Sequence, residues 1–257
     1  MLKIFKNKIA LLLSALLGLT FIYKRYVVKE ETLYLTPPTL THWFGTDVIG
    51  HDIFLKSMDA LAIEIITLII VLSTMYILGL VIGMILSYYS GDKIRELLLN
   101  LIHYWVSLPV LLIALFLLIL IGAGQKNAII VMIFTLIPTQ SLYAYNQLET
   151  VKKNDFVIAK ISYGFSKPHI YIHHLYPNIK KGFISYTMAR MPEILMMNLA
   201  LNFLGLGVQP PDSSFGRMLF DGLAFMFSAW WMWIFEIWLV IFLFILIQKI
   251  MRLVFIE

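Results

Sequence analysis

Residues 155–178 read DFVIAKISYGFSKPHIYIHHLYPN, a polar and basic island between two long apolar stretches. Its flanks decide the fold, because they lack the polar/apolar alternation of a barrel strand. Sixty per cent of the 257 residues are hydrophobic and 14% are charged, far from the soluble average. Several apolar runs reach the roughly 20 residues that cross about 30 Å of hydrocarbon as a helix. A backbone in lipid has to satisfy its own polar groups, so such runs predict membrane-spanning helices. The reading is an all-α, polytopic chain. It forms one domain over 1–257, since no polar stretch is long enough to bury a core of its own.

Six spans fit: 9–23, 61–88, 99–121, 128–148, 183–206 and 229–247. The first follows Lys3, Lys6 and Lys8 in the manner of a signal peptide, but no small-residue cleavage site comes after it, so it is read as retained. Lys and Arg collect on cytosolic loops. With the N-terminus inside, thirteen of them fall on cytosolic pieces and six on outer ones, Lys24 and Arg25 being a local exception. This bias predicts outer loops at 24–60 and 207–228, a cytosolic loop at 149–182, and both termini in the cytoplasm.

The net charge of +5 comes from loops beside apolar spans, as topology demands, so no nucleic-acid partner is expected. The absence of cysteine excludes disulfides and thiol catalysis. No G-x-x-x-x-G-K-[ST], G-x-S-x-G or H-E-x-x-H occurs in the sequence. The chain is therefore not expected to hydrolyse ATP or to act as an enzyme.

Within the island, Gly164 suits a chain reversal after a short helix, and Ala159 permits close approach of a partner. Pro177 is expected to end the loop before the fifth span. His169 and His173 share a helical spacing suited to a metal, but Pro168 and the loop context speak against a fixed site, and no metal is expected. Upstream, Thr46 and Asp47 carry helix N-cap chemistry, with Asp52 within reach of the same turn. Four ionisable residues fall within spans: Glu64, Arg190, Glu193 and Glu236. Such residues usually face a cavity or a partner. Positions 190, 194, 198 and 201 lie near one helical face, which makes Arg190, Glu193, Asn198 and Asn202 the pore-lining candidates. Snorkelling of Arg190 and Glu193 at the cytosolic boundary is the alternative. Trp230, Trp231 and Trp233 fit an interfacial aromatic belt.

Three segments together resemble one family. Residues 155–178 resemble the cytosolic coupling loop of ABC-importer permeases. His42-Trp43-Phe44-Gly45-Thr46-Asp47-Val48-Ile49-Gly50-His51-Asp52 is similar to the G-T-D-x-x-G-R-D signature of the dipeptide/oligopeptide/nickel branch. Residues 202–211, NFLGLGVQPP, followed by Phe215-Gly216 and Asp221-Gly222, resemble the corresponding segment of its C-type subunit. The resemblance implies a type I importer permease fold in a bacterial cell membrane. It implies ATPase-coupling roles for Asp155, Phe156, Ala159, Gly164, His174, Pro177 and Asn178. An outer gate and receptor-docking face is implied at Gly45, Thr46, Asp47, Gly50, Asp52, Gly205, Gly207, Gln209 and Pro210.

The implied partners are a homologous B-type permease subunit, two ABC ATPase subunits, an extracytoplasmic substrate-binding protein and membrane lipid. No cofactor is expected on this chain; ATP and Mg²⁺ belong to the ATPases. The implied cargo is peptides, nickel or metal–chelator (metallophore) complexes. Three departures stand out: Ile158-Ala159-Lys160 replaces the usual E-A-A, His51 replaces Arg, and Asn198 stands where an acidic residue is common. The competing reading is an ion-coupled secondary carrier, which calls for internal repeats or midplane ion ligands, and no repeat is evident.

Overall fold

The computed structural model describes residues 34–89 and 93–255, and these are helical apart from turns and one isolated β-bridge between Thr46 and Asp52. The elements are α1 (Ile53–Tyr88), α2 (Lys93–Val106), α3 (Val110–Ile121), α4 (Gln125–Lys152), α5 (Asp155–Ser162), α6 (Lys167–Ile170), a π-helical turn (Tyr171–Leu175) and α7 (Tyr176–Ala189). They continue with α8 (Met191–Phe203), α9 (Phe215–Gly222), a 3-10 turn (Leu223–Phe225) and α10 (Trp231–Phe255).

Among the described residues, three helices are long and apolar enough to cross a bilayer: α1, α4 and the Trp231–Lys249 part of α10. Counting the bent α2–α3 pair as one span gives four. The expected span at 9–23 lies outside the described residues. That at 99–121 is not straight, because α2 and α3 meet at 94°. The cause is Pro109, whose ring disfavours helical backbone at Leu108 and which itself takes φ −62°, ψ 113° ahead of α3. The span expected at 183–206 is likewise divided: Arg190 sits in a turn between α7 and α8, two residues before Pro192, whose ring displaces the carbonyl four residues back.

Contacts divide the chain into two compact units: the described part of Met1–Ile66 with Leu199–Leu243, and Thr67–Asn198 with Phe244 onward. In the second unit α1 meets α4 through small residues. A Cβ on Gly79 would collide with Gln140, and one on Gly83 with Ala144. This is the close backbone approach that a G-x-x-x-G spacing permits between membrane helices. Gln140 is fully buried and donates from Nε2 to Thr187 Oγ1 of α7 at 2.5 Å. Beside it the rings of Tyr143 and Tyr186 stack at 3.7 Å. In the first unit Ser57 of α1 donates to the buried Glu236 of α10 at 2.6 Å. A costly intramembrane carboxylate thus has a hydrogen-bond donor within its own unit.

Candidate functional site

Two candidate surfaces emerge, one in each unit. The segment expected as a cytosolic loop, 149–182, is helical over most of its length. Asp155 opens α5 with its carboxylate in the first turn, where a negative charge suits the helix dipole. Gly164 ends α5 at φ +81°. The Gly164 N–H bonds to Ile161 O at 3.0 Å and the Phe165 N–H to Lys160 O at 3.3 Å, the paired bonds of a Schellman cap. A Cβ at Gly164 would meet nothing within 4 Å, so its backbone angle is the whole reason for glycine there. Pro177 does not end the segment as expected. It sits in the first turn of α7, and the π-helical turn before it slips the hydrogen-bond register, so its missing N–H breaks nothing.

One face of this helix–turn–helix is fastened down. Val157, Ile170, Tyr171, Leu175 and Ile179 form a buried cluster with Leu148 of α4, and Leu80, Met84, Tyr88 and Val151 pack against it. A polar clamp lies alongside. Ser87 Oγ donates to Glu149 Oε1 at 2.7 Å and is 3.1 Å from Tyr171 Oη. Lys152 Nζ reaches Glu149 Oε1 at 2.7 Å, donates to Ser87 O, and lies 5.2 Å from the Tyr171 ring centroid.

The opposite face is open. Phe156, Ile158, Ala159, Ile161, Tyr163 and Phe165 are exposed, and Phe156, Ala159 and Tyr163 share a side by helical spacing. Lys160 Nζ lies 5.2 Å from the Phe165 ring centroid, Phe165 stacks on His169 at 5.1 Å, and His169 stacks on His173 at 4.3 Å. His174 sits edge-on to His169. Partial burial, then Lys160, His169 and His173, holds the His174 imidazole below its ordinary pKa. Asn178 Nδ2 donates to His174 O at 2.6 Å. Among the described residues no three His, Cys, Asp or Glu side chains gather to hold a metal.

The 34–52 turn behaves differently. Asp52, not Thr46 or Asp47, caps α1: its Oδ1 accepts from Leu55 N–H at 3.2 Å, and its Oδ2 lies 2.8 Å from His42 Nδ1. The helix starts at Ile53, which leaves Thr46 and Asp47 too far upstream to cap it. Asp47 is buried and turned inward. Oδ1 accepts from the N–H groups of Ile49 and His51, both at 2.9 Å, and Oδ2 from Lys56 Nζ at 2.8 Å. Burial raises the Asp47 pKa, but Lys56 and the two N–H donors outweigh it and leave the carboxyl below its ordinary value. His51, at the position of the signature Arg, stands 3.5 Å from the same oxygen; Lys56 supplies the close cation instead. Thr46 is held by Thr36 at 2.7 Å between hydroxyls, and Trp231 Nε1 donates to Thr46 O at 3.3 Å. Gly45 (φ +76°) leaves no room for a Cβ beside Trp231, and Gly50 turns the chain at φ +88°. Asp47, Lys56, Met218, Asp221 and Met232 line a small open cleft with their neighbours.

The 202–211 segment repeats the capping logic. Gly205 (φ +76°) closes α8, with Gly205 N–H to Asn202 O at 3.0 Å and Leu206 N–H to Leu201 O at 2.9 Å. Asn202 Oδ1 accepts from Val208 N–H at 2.6 Å, and a Cβ on Gly207 would strike that amide. Gln209 Nε2 donates to Gly205 O and Gly207 O, both at 3.0 Å, and Pro210 is exposed beside it.

Of the pore-lining candidates, Glu193, Asn198 and Asn202 lie on α8 and Arg190 at its start. Arg190 pairs with Glu193 at 3.0 Å, but Asn198 and Asn202 are buried within their own units. The turn at Arg190 lies ahead of that register: the Ile194 N–H bonds to Arg190 O at 3.1 Å, and α8 runs unbroken from Met191 to Phe203. The Ser87–Glu149–Lys152–Tyr171 clamp was missed from sequence, having no local signal. The Gly79/Gly83 contact was also missed, although its G-x-x-x-G spacing was readable.

In the second unit, apolar helices carry a fastened helix–turn–helix whose other face is exposed. The chain belongs to the family of binding-protein-dependent transport system inner membrane components, whose family model matches residues 79–253. It is similar to the dipeptide transport system permease protein DppC of Bacillus subtilis (strain 168), with 28% identity over 237 residues, covering 88% of this chain and 73% of that protein. It is also similar to the probable D,D-dipeptide transport system permease protein DdpC of Escherichia coli (strain K12), with 26% identity, covering 79% and 67%. The fold matches that of the MetNI methionine ABC transporter in inward-facing conformations, with a TM-score of 0.59 at 16% identity over 76% of this chain and 93% of that one. The chain is thus an inner-membrane permease subunit of an ABC importer, and membership implies a partner permease and ATPase subunits.

Proposed function

We propose that the chain is the C-type permease of an ATP-driven peptide importer, forming half of the pore beside a B-type permease. Two ABC ATPases carry ATP and Mg²⁺ and dock on 155–178, and an extracytoplasmic binding protein delivers cargo to the opposite side. Both termini lie in the cytoplasm. The observation that carries this reading is the two-faced 155–178 segment. One face is locked to α1 and α4 by the buried cluster and the Glu149–Lys152 clamp, while the other presents exposed apolar side chains around Ala159. A push on the open face is passed to the bundle because the locked face cannot slide. ATP and loaded receptor each favour the outward-facing state by binding it better than the inward-facing one. Near the membrane boundary Arg190 and Glu193 neutralise each other on the cargo path, and Asn198 and Asn202 hold the backbone around it.

The dipeptide relatives support the peptide arm over nickel or metallophore cargo. The test is uptake by proteoliposomes holding the chain with its co-purifying permease, ATPases and receptor. Labelled dipeptide is expected to accumulate only with ATP. Accumulation of nickel or a metallophore in place of peptide overturns the cargo assignment, and ATP-independent uptake supports the ion-coupled carrier instead. Since the chain has no cysteine, Ala159→Cys gives a unique label. Impermeant maleimide is expected to reach it in inverted vesicles and not in intact cells.

A further inference from the structure

In the first unit, the chain from Gly222 to Phe235 contains no charged residue. Its middle is not buried. Phe227 is 92% exposed, and Phe220, Leu223, Met226 and Trp230 are also exposed. Exposed apolar surface gathered in one place marks a binding surface. Two observations say what covers it. The first is continuity: Phe227 lies four residues before Trp231, where α10 begins its membrane-crossing stretch. The exposed side of α10 continues the same surface through Ile234, Trp238, Ile241 and Phe242. The second is an aromatic ring chain at this level. Trp230 lies 6.2 Å from Phe235, Phe235 stacks on Phe44 at 4.3 Å, Phe44 meets Phe54 at 5.2 Å, and Phe54 meets Trp43 at 5.3 Å. Trp43 and Trp230 remain exposed at its two ends. Exposed tryptophans at the start of a span mark the headgroup level of a bilayer. In α9, Arg217 pairs with Asp221 at 3.0 Å, so their charges are matched within the helix.

From this we infer that residues 223–227 are an interfacial anchor. Phe227 and its exposed neighbours insert into the headgroup/acyl boundary of the leaflet at which α10 begins, to the depth of roughly 5–10 Å usual for apolar faces lying in the interface. The occupant is lipid, and the anchor fixes the 202–222 segment at the membrane surface without any contact from cargo or receptor.

The test places a nitroxide label at Phe227→Cys, in the full-length chain assembled with its co-purifying permease and ATPases in nanodiscs of mixed phosphatidylethanolamine and phosphatidylglycerol. The chain has no native cysteine, so the label is unique within it. Phe227 makes so little contact that its replacement leaves the packing alone; Leu223→Cys serves as a second probe. Collision with oxygen, which partitions into lipid, is compared with collision with a water-soluble nickel chelate. Labels at Trp238 and Asp212 supply the lipid and water references. The expected result is oxygen-dominated relaxation at 227, resembling 238 and unlike 212. Nickel-dominated relaxation at 227 overturns the inference. Protection appearing only after the binding protein is added overturns it in favour of receptor docking. Shielding from both reagents overturns it in favour of burial against another protein chain.

Discussion

The 34–52 turn and the 155–178 hairpin are both short, both rich in polar residues and both set by a glycine in the left-handed region, yet they use their side chains in opposite ways. In the turn, Thr46 and Asp47 are spent internally on Thr36, Ile49, His51 and Lys56. In the hairpin, Phe156, Ile158, Tyr163 and Phe165 make their surface available, and Tyr163 is 77% exposed. Signature-like residues therefore mean different things in the two places. In the turn they hold a shape; in the hairpin they are left for something else to touch.

The contrast breaks first if the hairpin tolerates change at its hinge. Gly164→Val forces a β-branched residue into the left-handed region at about 1–2 kcal/mol. It is expected to abolish co-purification of the ATPase while membrane insertion stays normal, and ATPase recovered at wild-type yield contradicts the docking assignment. Gly164→Asn, which tolerates that angle better, should retain most of the association.

The turn is the next target. Asp47→Ala leaves the Lys56 ammonium and two N–H groups without their acceptor, an expected loss of about 1–3 kcal/mol. It should appear as earlier protease cleavage within 34–52 with ATPase binding intact. Because the Asp47 pKa is lowered by folding, its contribution is fully present above about 3.9 and is lost as pH falls through the lower folded value. The turn should thus open only in strong acid, as followed by cleavage against pH.

Tyr171→Phe removes one hydrogen bond from the clamp behind the hairpin, costing about 1 kcal/mol. Faster amide exchange in α5 and α6 is expected, and unchanged exchange there argues that the apolar cluster alone fastens the segment. The smallest effect concerns His174, whose pKa folding also lowers. Its neutral form stabilises the hairpin fully above about 6.5, and this support fades as pH drops below that. Exchange across 165–178 should rise gently on acidification, and His174→Gln should flatten the rise.

Much of this was legible before any coordinates. Apolar run lengths announced the helices, and Gly164 announced the cap of α5. What failed were places where one residue type serves two purposes. Pro177 read as a terminator but occupies a first turn, tolerated through the π-helical slip before it. Asp47 read as a cap, while Asp52, nearer the helix start, performs that task. The span at 183–206 read as one helix, but a turn at Arg190, just ahead of Pro192, divides it. The Ser87 clamp joins residues 62 and 84 positions apart, a separation that leaves no local trace.

The contact of Gly79 and Gly83 with Gln140 and Ala144 has a consequence for variation in this chain. Backbone meets side chain there with no spare layer between, so neither helix can gain a methyl group without prying the two apart. Saturation mutagenesis should find both glycines nearly invariant, and a larger residue at 144 has no compensating change open to it at Gly83, which carries no side chain to shrink. Such a seam acts as a fixed pivot, immune to gradual drift because every first step away from it is uphill.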